Sequence, residues 1–214
     1  MTLVFTRTLA DFEGNSPAPL LTKQDGPGFC LTIATAHAGE SWDLCFQNHW
    51  EVMLVLEGHG RFEDPATGEI TALVPGTVSC MGPGQKHRLT IEHDMKVMGL
   101  FNPALKGALA VPTSFVRSFE RPDTAGNISL LSTGDGIGCS ASEVRSPKNT
   151  CLTEQRQDTW KIGYIVSGRG ELTDQTSRDA TLLGPDMLYC LEPGDDHHLL
   201  AHSDLHLIKI DTAA

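Results

Sequence analysis

The chain lacks several things, and each absence narrows what it does. No apolar run approaches the roughly 20 residues a membrane-crossing helix needs, so no helical span is expected. Lys and Arg total 16 against 27 Asp and Glu, for a net charge of −11, and no basic cluster stands out. That balance argues against nucleic acid or an anionic membrane surface as a partner. No helix-turn-helix pattern accompanies it, which removes direct DNA reading as well. The six cysteines (30, 45, 80, 139, 151 and 190) form no CxxC pair and no dense framework. Free thiols in a reducing cytoplasm are therefore expected, most of them small core residues. Residues 1–9 show no basic stretch followed by an apolar one, so no signal peptide is read there and a cytoplasmic location is expected.

What is present is punctuation. The 21 glycines and 12 prolines break up short apolar runs, and hydrophobic residues make up 40% of the chain. This is the texture of strands and turns around a buried core. Sliding the sequence by 110 places Trp50–Phe101 on Trp160–Asp211 without a gap, with 13 of 52 positions identical. The matches include Gly58/Gly168, Gly60/Gly170, Pro75/Pro185, Cys80/Cys190, Pro83/Pro193, Gly84/Gly194 and His87/His197. Turn residues held in register over this span indicate two homologous domains. The expected division is 1–107, a linker at 108–123, and 124–214.

Each copy reads as strands. WEVMLVLEGHG and WKIGYIVSGRG are apolar runs ending in Gly-x-Gly, as expected of a strand buried on both faces. HRLTIE alternates, with His87, Leu89 and Ile91 on one side.

A strand closing on Gly-x-Gly, a second strand, then Pro-Gly-x-x-His resembles the cupin superfamily, small jelly-roll barrels whose interior often holds a metal. The fold expected is thus all-β, two tandem cupin domains (a bicupin). Glu51 precedes Gly58 by seven residues as in the first cupin motif, and Gly84-Gln85-Lys86-His87 matches the end of the second. The usual His-x-His positions hold Asp43 and Cys45. Alternation is expected to point both where Glu51 and His87 point, giving a ligand set of Glu51, His87 and Cys45. Carboxylate, imidazole and thiolate all bind Fe(II), Zn(II) or Mn(II), and a thiolate favours Fe or Zn. His49 is a further candidate, nearer the barrel mouth. The second copy has Thr153, Gln155, Lys161 and His197 at the corresponding positions. A lysine in place of the carboxylate is hostile to a cation, so one divalent metal is expected in the first barrel and none in the second.

The first half also resembles a narrower family. Gln47 to Glu51, the Pro75-Gly76-Thr77 turn and Phe101-Asn102-Pro103 with Leu105 and Gly107 are similar to ectoine synthase, over about residues 5 to 107. The second half resembles it only through the repeat. The resemblance implies a cyclodehydratase, a carbon–oxygen lyase closing an acetylated diamino acid into a cyclic amidine with loss of water. It implies an iron held by Glu, Tyr and His, carried here onto Glu51, Ser79 and His87, with the tyrosine appearing instead at Tyr189 of the second copy. Thr35, Phe46, Phe101 and Ser79 then fall on substrate-binding positions, while a pocket Trp and Arg of the family fall near Asn15 and Pro19. Glu51 and His87 are the expected catalytic pair. The alternatives are an Fe(II)-dependent cupin oxygenase and a non-catalytic small-molecule-binding module. A small-molecule substrate is the expected partner, with the chain a pseudo-symmetric monomer or a homodimer.

Overall fold

The computed structural model describes residues 5–12, 16–103, 114–120, 125–154 and 158–212. Asn15, Gln155 and most of the expected linker lie outside them. Among the described residues the regular structure is strand, apart from three 3₁₀ turns, and no helix is long and apolar enough to cross a membrane. The first nine strands are β1 (Phe5–Thr8), β2 (Ala18–Leu21), β3 (Cys30–Ala36), β4 (Ser41–Leu44), β5 (His49–Asp64), β6 (Glu69–Leu73), β7 (Thr77–Met81), β8 (His87–Pro103) and β9 (Phe115–Ser118). The next nine are β10 (Gly126–Leu131), β11 (Cys139–Ser146), β12 (Cys151–Glu154), β13 (Lys161–Ser167), β14 (Gly170–Asp174), β15 (Ala180–Leu183), β16 (Met187–Leu191), β17 (His197–Ala201) and β18 (Leu205–Thr212).

The chain forms two compact units, and their membership is interleaved. One contains residues 12–120 with 135–137; the other contains 1–11, 121–134 and 138–214. The division at 108–123 read from the repeat is contiguous, whereas the strand pairing is not. β1 pairs with β16, Phe5 opposite Cys190 and Thr8 opposite Met187. β9 pairs with β7 in the equivalent register, Phe115 opposite Cys80 and Ser118 opposite Thr77. Each repeat thus lends its first strand to the other repeat's sheet. The physical reason is edge protection: β7 and β16 would each present unpaired N–H and C=O groups without the borrowed strand. The lent strands carry the same device, an arginine folded over its own phenylalanine (Arg7 on Phe5 at 4.1 Å, Arg117 on Phe115 at 3.6 Å).

In the first unit the long strands β5 and β8 run the length of the barrel and pair with each other, and β5 also carries β6 and β7. β3 and β4 pair with successive stretches of β8. In the second unit the same path is broken into β13–β14 and β17–β18. The bend falls on the first glycine of Gly-x-Gly in both copies. Gly58 and Gly168 sit at φ +78 and +87, and a Cβ on either would collide with the backbone of Asp94–Met95 or Asp204–Leu205.

Inside the first barrel Met53, Val55, Phe62, Met81, Leu89, Ile91, Met95 and Val97 form one core cluster. Ile165, Leu172, Leu183, Tyr189, Leu191, Leu199, Leu205 and Leu207 do so in the second. Each such side chain contributes about 1.5–3 kcal/mol when fully buried. β5 is buried on both faces from Trp50 to Leu56, as its continuous apolar run leads one to expect.

Candidate active site

Alternation along β5 sends Glu51, Met53 and Val55 to the barrel interior. Strand register then places Glu51 opposite Phe101 on β8 and Met81 on β7, and Met53 opposite Gly99 and Ser79. His87 opens β8 and faces inward opposite Leu44. The result is a carboxylate and an imidazole in contact at 3.0 Å (Glu51 Oε2 to His87 Nε2), both almost wholly buried. Phe62 stacks on the His87 ring from one side at 5.4 Å. Glu51 Oε2 and His87 Nδ1 are nevertheless without hydrogen-bond partners. The two groups touch in a geometry that leaves hydrogen-bonding capacity unused, which costs several kcal/mol inside an apolar barrel.

Glu51 forms part of the wall of a cavity of about 580 Å³. Met53, Leu89, Val97 and Phe101 form its apolar floor, with Trp42, Leu44 and Phe46 to one side and Thr35, His37 and Glu40 toward the opening. Phe46 and Phe101 meet edge to face at 5.2 Å. His49, two residues before Glu51, packs its ring on both (5.0 and 5.5 Å). Burial holds its pKa below the usual histidine value, helped by Lys23 and opposed by Glu51. A second and wider cleft of about 700 Å³ lies against Phe62, Met81 and Val116 of the same barrel; Glu51 is not part of its wall.

The structure brings together Glu51, Thr35, Phe46 and Phe101 around one cavity, with His87 behind Glu51. It does not bring Cys45 to them. Among the described residues no three His, Cys, Asp or Glu side chains converge on a point that could hold a metal. The reason is register. Leu44 faces His87, so its neighbour Asp43 faces outward opposite Arg88, to which it is ion-paired at 2.7 Å. Arg88 in turn holds the Asp43 carboxyl below its ordinary pKa, chiefly through that hydrogen bond. Cys45 lies past the end of β4, where its sulfur accepts a hydrogen bond from Gln47 Nε2 at 3.1 Å. Ser79 is buried behind Met53 and is not part of the cavity wall. Sequence reasoning missed Trp42 and Glu40; the signal was the same β4 alternation, which turns Trp42 inward once Asp43 is turned out.

The second barrel places Lys161, Tyr189 and His197 at the equivalent inner positions, all buried. The ring of Tyr189 lies over Gly163, where the first barrel has Met53 over Ser79. Burial depresses the pKa of His197, and Lys161 adds to this, against opposing carboxylates led by Asp174.

Comparison with known proteins agrees with this architecture. The solved Bacillus subtilis oxalate decarboxylase superposes with a TM-score of 0.73 at 11% identity, covering 97% of this chain and 77% of that one. A cupin 2 conserved barrel domain protein from Leptotrichia buccalis superposes at 0.63 and 8% identity, covering 100% and 98%. Both show the cupin fold and no more. The L-ectoine synthase of Sphingopyxis alaskensis is 39% identical over 95 residues, 44% of this chain and 69% of that protein. The L-ectoine synthase of Hyphomonas neptunium is 35% identical over 106 residues, 49% and 78% of the two chains. The ectoine synthase family model matches residues 7–111 and again 121–212, so the second repeat carries the family pattern too. The chain, an all-β protein of cupin-like fold and an enzyme of the lyase class, belongs to the ectoine synthase family.

Proposed function

We propose that the first barrel is a cyclodehydratase site that closes an N-acylated diamine into a cyclic amidine. One observation carries this: Glu51 Oε2 and His87 Nδ1 are buried without hydrogen-bond partners, and Glu51 lines a cavity with aromatic walls. In the reaction a neutral amine attacks the amide carbonyl carbon, a C–N bond forms, and the carbonyl oxygen leaves as water with the two amine protons. The chain's contribution begins with folding the substrate. Phe46, Phe101, Met53 and Leu89 line the cavity, and a substrate folded against them has its amine and acyl group near each other. The apolar walls also exclude bulk water, which favours its loss from the adduct.

The family implies a divalent metal, and two of the residues present fit one. Glu51 and His87 are convergent, buried and under-satisfied, and they would hold it; Fe(II) or Zn(II) suits a carboxylate–imidazole pair. Ser79 supplies no third ligand of the tyrosine kind, so water or substrate would complete the shell. When bound, such an ion supplies Lewis acidity at the acyl oxygen. Incubating metal-loaded protein with γ-N-acetylated diaminobutyrate and with other acetylated diamines, and reading masses, tests the proposal. Loss of one water from at least one of them, abolished in Glu51→Gln, is the expected result. No dehydration of any would refute it.

A further inference from the structure

One bulky side chain narrows the middle of the first-barrel cavity. Glu51 and His87 touch, so the carboxylate lies at the level where Leu44 stands opposite His87. Two residues back along β4, about 7 Å nearer the opening, Trp42 stands opposite Leu89. Beyond it Glu40 and His37 line the opening. The rings of Phe46, His49 and Phe101 pack on one another at the far end. A substrate whose acyl carbon reaches Glu51 therefore extends outward along the indole. The lining that β3 and β8 contribute is small (Ala34, Val97 and Gly99), so Trp42 supplies the bulk.

The indole is also held in place. Its Nε1–H donates to Glu40 Oε2 at 3.2 Å. Glu40 is fixed in turn by its backbone: its N–H donates to His37 O, and its C=O accepts from the Ile91 N–H, both at 3.0 Å. A ring tied at its polar edge resists swinging aside for a larger ligand. The second repeat, with Lys161 in place of Glu51, has Thr150 and Leu152 where the first has Glu40 and Trp42. The Glu–Trp pair thus accompanies the carboxylate that the proposed chemistry uses. We propose that Trp42, with Glu40 as its positioning residue, sets the size of the acyl group the first barrel accepts. Acetyl-sized groups fit, and acyl chains of four carbons or more meet the indole. That the varied group is an acyl rests on the cyclodehydratase reading; the size limit itself stands on Trp42 and Glu40.

The test is calorimetric titration of the full chain with γ-N-acetyl-, γ-N-butyryl- and γ-N-hexanoyl-diaminobutyrate, followed by mass analysis of the same ligands with metal-loaded protein. The acetyl compound is expected to bind at least about 10-fold tighter than the butyryl one. Trp42→Ala should bring the two within about 3-fold of each other. Trp42→Phe, a smaller ring, should give part of that shift, and it serves as the readout should Trp42→Ala not fold. Glu40→Ala, which frees the indole, should fall between wild type and Trp42→Ala, while Glu40→Gln, which keeps an acceptor, should retain the wild-type preference. Equal acetyl and butyryl affinity in wild type, an acetyl preference unchanged in the Trp42 variants, or binding of none of the three would overturn the size limit. An unaltered preference in Glu40→Ala, or its loss in Glu40→Gln, would overturn the role of Glu40. A Trp42-dependent preference without loss of water from any ligand would leave the size limit standing and overturn the cyclodehydratase reading instead. Dehydration with a chain-length profile that ignores Trp42 would do the opposite.

Discussion

The two barrels solve one packing problem in opposite ways, and exchanging the solutions gives a sharp test. In the second barrel the Tyr189 ring occupies the space over Gly163, and any Cβ there would collide with the ring and its hydroxyl. In the first, Met53 stands opposite Ser79. Ser79→Tyr alone forces a ring into space Met53 already fills, an overpacking cost of about 1–3 kcal/mol. Met53→Gly alone empties a buried position. Methionine truncation to alanine costs about 2–5 kcal/mol, and glycine in a strand adds about 0.5–1 kcal/mol. Were the sites independent, the double variant would lose the sum, roughly 5 kcal/mol or more. If they are one packing unit, the tyrosine fills what the methionine vacates, and the double variant should lose less than that sum by about 3 kcal/mol. Denaturant unfolding of wild type, both singles and the double reads this directly. Additivity within about 0.5 kcal/mol would refute the reasoning. The double variant also returns a phenol to the interior beside Glu51 and His87, so it should hold a metal against a chelator longer than wild type.

Other expectations follow from single positions. Cys45→Ser and Asp43→Asn should leave the metal content of the loaded protein unchanged, because neither residue joins Glu51 and His87; a drop in either would restore the ligand set read from alternation. Gly58→Ala forces a left-handed backbone and a Cβ against Asp94–Met95, costing about 2–4 kcal/mol of stability by thermal unfolding. Acid should weaken the second barrel through His197. Its folded pKa lies below the ordinary 6.5, so the unfolded chain takes up the proton first, and the stability it contributes is full above about 6.5 and lost as pH falls below that. Unfolding midpoints measured from pH 7.5 down to 5 should decline, and less so in His197→Gln.

Much of this architecture was legible in the sequence because turns leave strong marks. The offset of 110 found both barrels through glycines whose backbones no other residue tolerates, Gly58 and Gly168 foremost. The exchange of first strands was missed, although the same offset carried upstream aligns Phe5 with Phe115 and Arg7 with Arg117. Four-residue strands carry too little periodicity to be seen alone, and pairing between repeats is a long-range property that local pattern does not encode. At the site, Glu51 and His87 were legible because motif spacing and strand alternation agree there. Asp43 and Cys45 were misplaced because alternation was carried across the loop between β4 and β5, where period-two logic stops. Leu44, opposite His87, sets the true phase of β4, and with it brings Trp42 rather than Asp43 inward.

The central claim is that the chemistry lives in the first barrel, at the carboxylate the second has replaced with lysine. The most direct measurement compares single-turnover dehydration by the metal-loaded wild type, Glu51→Gln and Lys161→Met, using whichever acetylated diamine the wild type converts. Glu51→Gln should slow the step by at least about 100-fold, while Lys161→Met stays within a few-fold of wild type. Turnover that survives in Glu51→Gln and is lost in Lys161→Met would contradict the account and move the active site to the second barrel.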